Sequence, residues 1–265
     1  MATLSVVVLT FNEAANIEAC LESVKWANEI IVVDSGSTDA TCEIARRYTD
    51  KVVFHPCNGM AEQRNYGRSL ASGEWVLDLD ADERITPALQ AEIQELLRRD
   101  PVCLADGYRI YIRDWMFGKF VRYGSWPYQA PVRLSRAKVA RWQGTVHERA
   151  VVTTGRVGKL HNPMLHYSHT SIAAFLNKMN RYTDQEAAEM FAQGKRANLF
   201  LALLGAARAF GGQYIRLQGF RDGGHGLILA ILMAVYYFVL QAKLWSLWYM
   251  FEHEEANATP QGTLQ

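Results

Sequence analysis

Several things are scarce in this chain, and each scarcity removes a class of function. Its 28 lysines and arginines nearly balance its 27 aspartates and glutamates, leaving a formal charge of +1. Nucleic-acid binding needs a basic excess to hold phosphates, so no such partner is expected. Cysteine is rare, and Cys20, Cys42, Cys57 and Cys103 show no CxxC or other metal spacing. They read as reduced thiols of a cytosolic protein, not as a disulfide framework or a zinc site. The first apolar run, Leu4 to Leu9, is short, lacks a basic flank and passes straight into Asn12 and Glu13. No signal peptide is expected, which leaves the catalytic part in the cytosol. The loop that follows, TFNEAAN from Thr10 to Asn16, has neither the glycines nor the basic residue of a nucleotidyltransferase loop. No internal repeat is visible.

What is present begins with alternating strands and helices. The 265 residues are 49% hydrophobic, enough for one large domain with an appendage or for two small ones. LSVVVLT (4–10) and EIIVVD (29–34) are β-branched runs typical of parallel strands buried on both faces. Residues 51–54 and 75–79 give two further strands. Helices are predicted over 14–24, from a Ser37 or Thr38 cap to about Tyr48, over 60–71, and from the Thr86 cap and Pro87 to about Arg98. Repeated βα units predict a mostly parallel sheet with helices on both faces. Beyond Pro101 the pattern loosens. Strands are expected at 107–113 and 132–135, joined by a loop with Trp115, Phe117, Tyr123, Trp126 and Tyr128. These aromatics either stack on sugars or pack among themselves. A polar helix is expected over 171–193.

The most informative stretch is EWVLDLDADE, Glu74 to Glu83. Asp78, Asp80 and Asp82 are spaced two apart at the end of a strand, which puts alternate side chains on one face. Asp80 and Asp82 fall where the strand opens into a loop, the edge at which open α/β sheets bind ligands. Such a pair offers hard oxygen ligands to Mg²⁺ or Mn²⁺, metals that bind through one or two carboxylates plus substrate phosphates. The alternative is an acidic, solvated turn. The first strand ends in Thr10, Asn12 and Glu13, and the second in Asp34, Gly36 and Ser37. Both ends are expected at the same edge. Asp34 is suited to accept a hydrogen bond from a base N–H, and Gly36 permits a tight turn that lets backbone approach a ligand. Helix capping is the structural alternative for Asp34 and Ser37.

TFNE, VVDSGSTD, NGMAEQRNYG and LDLDADE, in this order and spacing, resemble the inverting family 2 glycosyltransferases of GT-A fold. GTVHE (144–148), LHYSH (165–169), KMNRYT (178–183) and GFRDGGHG (219–226) extend the likeness over nearly the whole chain. These motifs are similar to the subgroup that includes lipopolysaccharide inner-core β-1,4-glucosyltransferases acting on heptose. The resemblance implies a Rossmann-like mixed sheet and a UDP-sugar donor. It places Asp34 on uracil, Glu13, Thr10, Asn12, Gly36, Ser37 and Arg64 around the nucleotide sugar, and Asp80 and Asp82 on ribose and metal–diphosphate.

An inverting transfer needs a carboxylate to take the acceptor hydroxyl proton. Glu148, with His147 beside it as runner-up, is the expected base. A surface glutamate paired with Arg149 or Arg141 is the alternative. His166 completes the metal shell or touches the diphosphate; otherwise it, like His169, is a core histidine. Lys178 and Arg181 share one helix face and either neutralise the leaving diphosphate or form a solvated basic face.

The carboxyl-terminal part is hydrophobic. Gly226 to Leu240 has no charge, but fifteen residues fall short of the roughly 20 needed to cross the bilayer hydrocarbon. Tolerating Gln241 and Lys243 would permit a span. Arg208, Arg216 and Arg221 punctuate the apolar stretch upstream, as in helices lying at a headgroup interface, and Trp245, Trp248 and Tyr249 suit an aromatic belt. A buried helical core or an oligomer interface is the alternative. The expected organisation is a catalytic domain over 1–170, a connecting helix over 171–197, a membrane-associating helical region over 198–252 and a disordered polar tail over 253–265. The implied enzyme moves a hexose, glucose first, from a UDP-sugar to a hydroxyl of a lipid-linked saccharide at the cytoplasmic face of the inner membrane, held there peripherally or monotopically. Transfer to polyprenyl phosphate and a non-catalytic nucleotide-binding scaffold are its rivals. The sequence leaves a homo-oligomer open.

Overall fold

The first strand, β1 (Leu4–Thr10), is buried along its whole length. It lies between β2 (Glu29–Asp34) and β4 (Trp75–Asp80), parallel to both, in a computed structural model that describes residues 2–126, 129–144 and 148–258. Burial on both faces explains the unbroken apolar runs. The chain divides into two units, one of residues up to Trp115 with Trp126–Ser168, the other of Met116–Ser125 with the chain from His169 onward. The expected catalytic domain, residues 1–170, thus gives up an internal stretch of ten residues to the other unit.

In the first unit, α1 (Ile17–Glu22), α2 (Thr41–Ala45), β3 (Val52–Phe54), α3 (Met60–Ser69), β5 (Glu83–Ile85), α4 (Pro87–Leu96), β6 (Gly107–Arg109) and β7 (Ile112–Met116) follow the early strands. Past β8 (Lys119–Phe120), which belongs to the second unit, come β9 (Val132–Arg136), β10 (Ala140–Gln143), β11 (Arg149–Val152), β12 (Val157–Lys159) and β13 (Met164–His169). The main sheet has the order β12-β6-β9-β4-β1-β2-β3. Only β9 runs against its neighbours β4 and β6, so the sheet is mixed and mostly parallel, as expected. Alternation along β1 feeds two cores. Val6 and Val8 pack with Ile17 and Leu21 of α1 and Leu89 and Ile93 of α4. Val7 and Leu9 pack on the other face with Ile31, Val33 and Tyr66 of α3. Helices therefore cover both faces. β10 and β11 form a separate hairpin, and β13 lies between β5 and β7.

The helices are shorter than their patterns suggest. Residues 14–24 yield only Ile17–Glu22, and the helix expected from Ser37 to Tyr48 is only Thr41–Ala45. Asp39, not Ser37, serves its start, accepting the Thr41 N–H at 3.0 Å. Thr86 caps α4 as predicted, accepting from the Leu89 N–H at 3.2 Å. The strand expected at 107–113 is two strands, β6 and β7, interrupted before Ile112.

The second unit is mainly helical: α5 (Ile172–Ala192), α6 (Leu199–Gly211), a π-helical turn (Gly212–Arg216), a 3₁₀ turn (Gly219–Asp222) and α7 (Gly224–Ala258). Ser171 caps α5, accepting the Ala174 N–H at 3.1 Å. α7 is continuous through Gln241 and Lys243, and its stretch Gly224–His253 is long and apolar enough to cross a membrane. Only 28% of its most apolar part is buried. Lys243 is accommodated by Asp184 at 2.7 Å and by Asn180. The tail expected to be disordered from His253 is helical to Ala258; residues 259–265 lie outside those described.

Candidate active site

Strand register brings three side chains to one sheet edge. Thr10 is opposite Asp34, and Leu9 is opposite Asp80, so β1, β2 and β4 end together. The loops after β1 and β2 are stitched to each other. Asn12, at φ +54°, donates its N–H to Ser37 Oγ at 2.8 Å and accepts from the Thr38 N–H at 2.8 Å. Glu13 donates its N–H to Thr41 Oγ1 at 2.8 Å. Asp34, 4% exposed, accepts from the Gly36 and Ser37 N–H groups, each at 2.9 Å, and from the Ser37 hydroxyl. Gly36 turns the chain at φ +103°, a conformation that suits glycine. Ser37 therefore does not cap a helix; it ties the two loops together. The Thr10 hydroxyl is buried and has no hydrogen-bond partner among the described residues.

Beneath this edge runs a ladder of buried charge. Two residues along a strand advance about 6.6 Å, and four residues along a helix about 6 Å. Asp78 and Asp80 of β4 thus match Arg68 and Arg64 of α3. Arg68 donates to Asp78 at 2.7 Å, and Arg64 Nη2 donates to both Asp80 oxygens at 2.7 and 2.9 Å. Arg133 of β9 reaches Asp80 at 3.2 Å and Glu83 at 2.6 Å. Glu83 also accepts the Asp80 N–H at 2.9 Å. Burial alone would push the Asp80 carboxyl up, but Arg64 and Arg133 outweigh it and hold it well below the usual carboxylate range. Burial governs Glu83: against Arg133, and aided by Asp80, it moves that carboxyl up to about 7.

Asp82 lies past the end of β4, its carboxylate 3.4 Å from His166 Nε2. The other ring nitrogen, Nδ1, is 2.7 Å from Asp114 of β7. Burial opposes a charge on His166, yet Asp114 and Asp82 raise its pKa well above the ordinary value. Glu148, on the approach to β11, has an oxygen 3.9 Å from Arg64 Nη2. Among the described residues, Glu148 forms no ion pair with Arg149 or Arg141. His147 lies outside the described residues.

Trp142 of β10 joins these parts. It is 3% exposed. Its indole N–H donates to Asp78 at 3.1 Å, and its backbone exchanges two hydrogen bonds of 2.9 Å with the Asn65 side chain. The Arg64 guanidinium lies 4.5 Å from the centroid of its ring. The hairpin leading to Glu148 is thereby fastened to the helix that carries Arg64.

The chain matches the model of glycosyl transferase family 2 over residues 5–150, which include every group of this edge except His166. The chain belongs to glycosyl transferase family 2. It is 30% identical over 254 residues to the lipopolysaccharide core biosynthesis glycosyltransferase LpsC of Rhizobium meliloti, covering 91% of this chain and 92% of that one. A Rickettsia prowazekii glycosyltransferase, RP128, is also 30% identical, over 92% of this chain and 87% of its own. Among solved structures, residues 1–349 of S. aureus TarS in complex with UDP-GlcNAc superpose with a TM-score of 0.46 at 14% identity, covering 94% of this chain and 92% of that one. Glycosyl transfer is accordingly the activity of this chain.

For this family 2 enzyme, the structure gathers Thr10, Asn12, Glu13, Asp34, Gly36, Ser37, Arg64, Asp80, Asp82, Glu148 and His166 in the first unit. Lys178 and Arg181 lie on α5 of the second, with Lys178 6.0 Å from the Tyr182 ring. Asp78 stood out in the sequence without a role of its own; Arg133, Glu83, Asp114, Arg68 and Trp142 did not stand out. A signal existed: an arginine or aspartate inside an apolar strand is almost never buried without a partner. The loop aromatics Trp115, Phe117 and Tyr123 pack within the protein, against Tyr167, Phe175 and Arg221 respectively.

Proposed function

We propose that this glycosyltransferase moves a hexose, glucose first, from a UDP-sugar to a hydroxyl of a lipid-linked saccharide, with inversion. Heptose of the lipopolysaccharide inner core is the acceptor that the motifs and the likeness to LpsC favour. The observation that carries the reading is the meeting of Asp80 and Glu148 on one guanidinium, that of Arg64. A donor-side carboxylate and a second carboxylate from a later segment face one another there, as a single displacement requires. Asp34, Gly36 and Ser37 take the uridine end, with Thr10, Asn12 and Glu13 beside them.

Among the described residues, no three His, Cys, Asp or Glu side chains form a metal cage. That donor set still fits Mg²⁺ or Mn²⁺, which bind through one or two carboxylates plus substrate phosphates. Asp82 and His166 would hold the ion, with Asp114 fixing the ring by its other nitrogen, the usual arrangement behind a ligating histidine. Asp80, claimed by two arginines, is the weaker candidate ligand. When bound, such an ion neutralises charge on the departing diphosphate. Glu148 takes the acceptor proton, Arg64 holds that carboxylate toward the donor side, and Asp34 orients the uracil. Lys178 and Arg181 are kept as candidate diphosphate contacts. The apolar α7 and the likeness to a lipopolysaccharide enzyme support work at the cytoplasmic face of the inner membrane.

The test is a donor screen followed by transfer to heptose-containing lipid A. Glu148→Gln should keep UDP binding and lose transfer by at least about a hundredfold, the lower end of what a general base supplies. Near wild-type transfer in that variant would put the base elsewhere. It would also favour polyprenyl phosphate, an acceptor already anionic and in no need of one.

A further inference from the structure

The motif GFRDGGHG is not explained by the chemistry above, and the second unit shows what it builds. Gly219–Asp222 forms the 3₁₀ turn just before α7. Gly226 packs so closely on Gly219 that a Cβ would lie 1.8 Å from the Gly219 carbonyl oxygen, so the turn and the helix start are locked together. Asp222, 5% exposed, accepts from the Arg122 and Tyr123 N–H groups at 2.8 and 2.9 Å, and pairs with Lys119 at 3.2 Å. The Gly124 N–H donates to the Leu217 carbonyl at 3.0 Å, and the Ser125 N–H to the Gln213 side chain at 2.8 Å. The stretch 116–125 is thus bound into the turns between α6 and α7.

The surface made this way has one sign of charge. Between Met190 and Phe251 the sequence holds a single acidic residue, Asp222, and it is buried and taken up by Lys119 and backbone donors. Arg122, Arg216 and Arg221 are exposed around it, and none has an acidic partner among the described residues. Arg221 is held at its place, 4.6 Å over the Tyr123 ring and 2.9 Å from Gln218 Oε1. Interleaved with these cations, Ile215 is 67% exposed and Phe220 50% exposed. The neighbouring α6 also presents apolar side chains outward, Phe200 at 75% and Leu203 at 61%. Unpaired cations beside projecting apolar side chains fit an interface of anionic headgroups over acyl chains.

We infer that the turns between α6 and α7, with the bound-in stretch 116–125, form a docking surface for anionic lipid headgroups, read by Arg122, Arg216 and Arg221. This rests on the membrane attachment proposed above and narrows it: recognition of lipid charge lies in this turn, not in α7.

The test uses the full chain and flotation with vesicles of phosphatidylcholine, with and without phosphatidylglycerol. The wild type should bind the anionic vesicles more tightly, with a preference that falls as salt rises. Each basic residue near an anionic surface contributes about a factor of five. The triple change Arg122→Gln, Arg216→Gln, Arg221→Gln should therefore weaken binding to anionic vesicles by at least about tenfold. Its binding to neutral vesicles, hydrolysis of soluble donor and helical circular dichroism should stay unchanged. Ile215→Ser with Phe220→Ser should weaken binding to both kinds. Equal binding of wild type to both vesicles, or a triple variant that keeps its anionic preference, overturns the inference while leaving attachment intact. A wild type that floats with neither defeats the attachment itself.

Discussion

The two units treat arginine in opposite ways. In the first, Arg64, Arg68 and Arg133 are nearly inaccessible and each grips a carboxylate within 3.2 Å. In the second, Arg122, Arg216 and Arg221 are exposed and the neighbouring acid is buried and already occupied. Buried charge demands a partner because desolvation costs several kcal/mol per ion. Exposed charge demands nothing for stability and stays available to an outside partner. The first set therefore fixes geometry, and the second is left available to an outside partner.

Removing one arginine from each set should break the comparison most sharply. Arg68→Met leaves Asp78 buried with, among the described residues, the Trp142 indole as its one remaining donor. It should cost about 3–5 kcal/mol in urea unfolding, the range for a buried pair that loses one member. Arg216→Met should stay within about 0.5 kcal/mol. Equal losses in the two variants would mean that burial does not separate the sets.

Trp142→Phe should come next in size. It keeps the ring against Arg64 and deletes the hydrogen bond to Asp78. Loss of one buried bond to a charged group is worth about 1.5–3 kcal/mol. Because the hairpin toward Glu148 hangs on this contact, kcat should fall while the KM for donor holds. A fall in donor affinity with kcat intact would place Trp142 in nucleotide binding instead.

Much of this was legible in the chain. β1, β2 and β4 are buried on both faces, so their sequences carry unbroken apolar runs, and Asp34, Asp80 and Asp82 follow from where those runs stop. α5 announces itself by Ser171 and its helical spacing. The parts that stayed hidden are short or antiparallel, such as β5 and β10 to β13, whose few polar residues show no period. Pairings across long separations were hidden too. Arg133 meets Asp80 and Glu83 from about fifty positions away in sequence, and nothing local to Glu83 distinguishes it from a solvated turn acid. The short α1 and α2 differ for another reason: the loops before them are tied to each other, Asn12, Asp39 and Thr41 accepting the Thr38, Ala14 and Glu13 N–H groups across a long separation in sequence.

Glu29 lies between the two extremes and should give an effect between theirs. It sits at the start of β2, at the sheet edge opposite the aspartates, with its side chain 11% exposed and its lysine partner, Lys51, 50% exposed. Burial pushes its carboxyl up, but hydrogen bonds from Lys51, Ser5 and Ser72 prevail and bring it to about 2, from an ordinary 4.5. A carboxyl depressed in the folded state stabilises the fold above its unfolded value and loses that contribution as pH falls toward the folded value. The partly exposed lysine weakens the pairing by solvent screening, so Glu29→Gln should cost only about 1 kcal/mol at neutral pH. The gap between wild type and variant should hold down to about pH 4.5, shrink below it, and vanish only below about pH 2, once the Glu29 carboxyl is protonated in the folded protein too. Urea midpoints measured across that range check the sign. A gap that widens on acidification would mean that Glu29 is stabilised as the protonated acid, and that Ser5 and Ser72 accept from it.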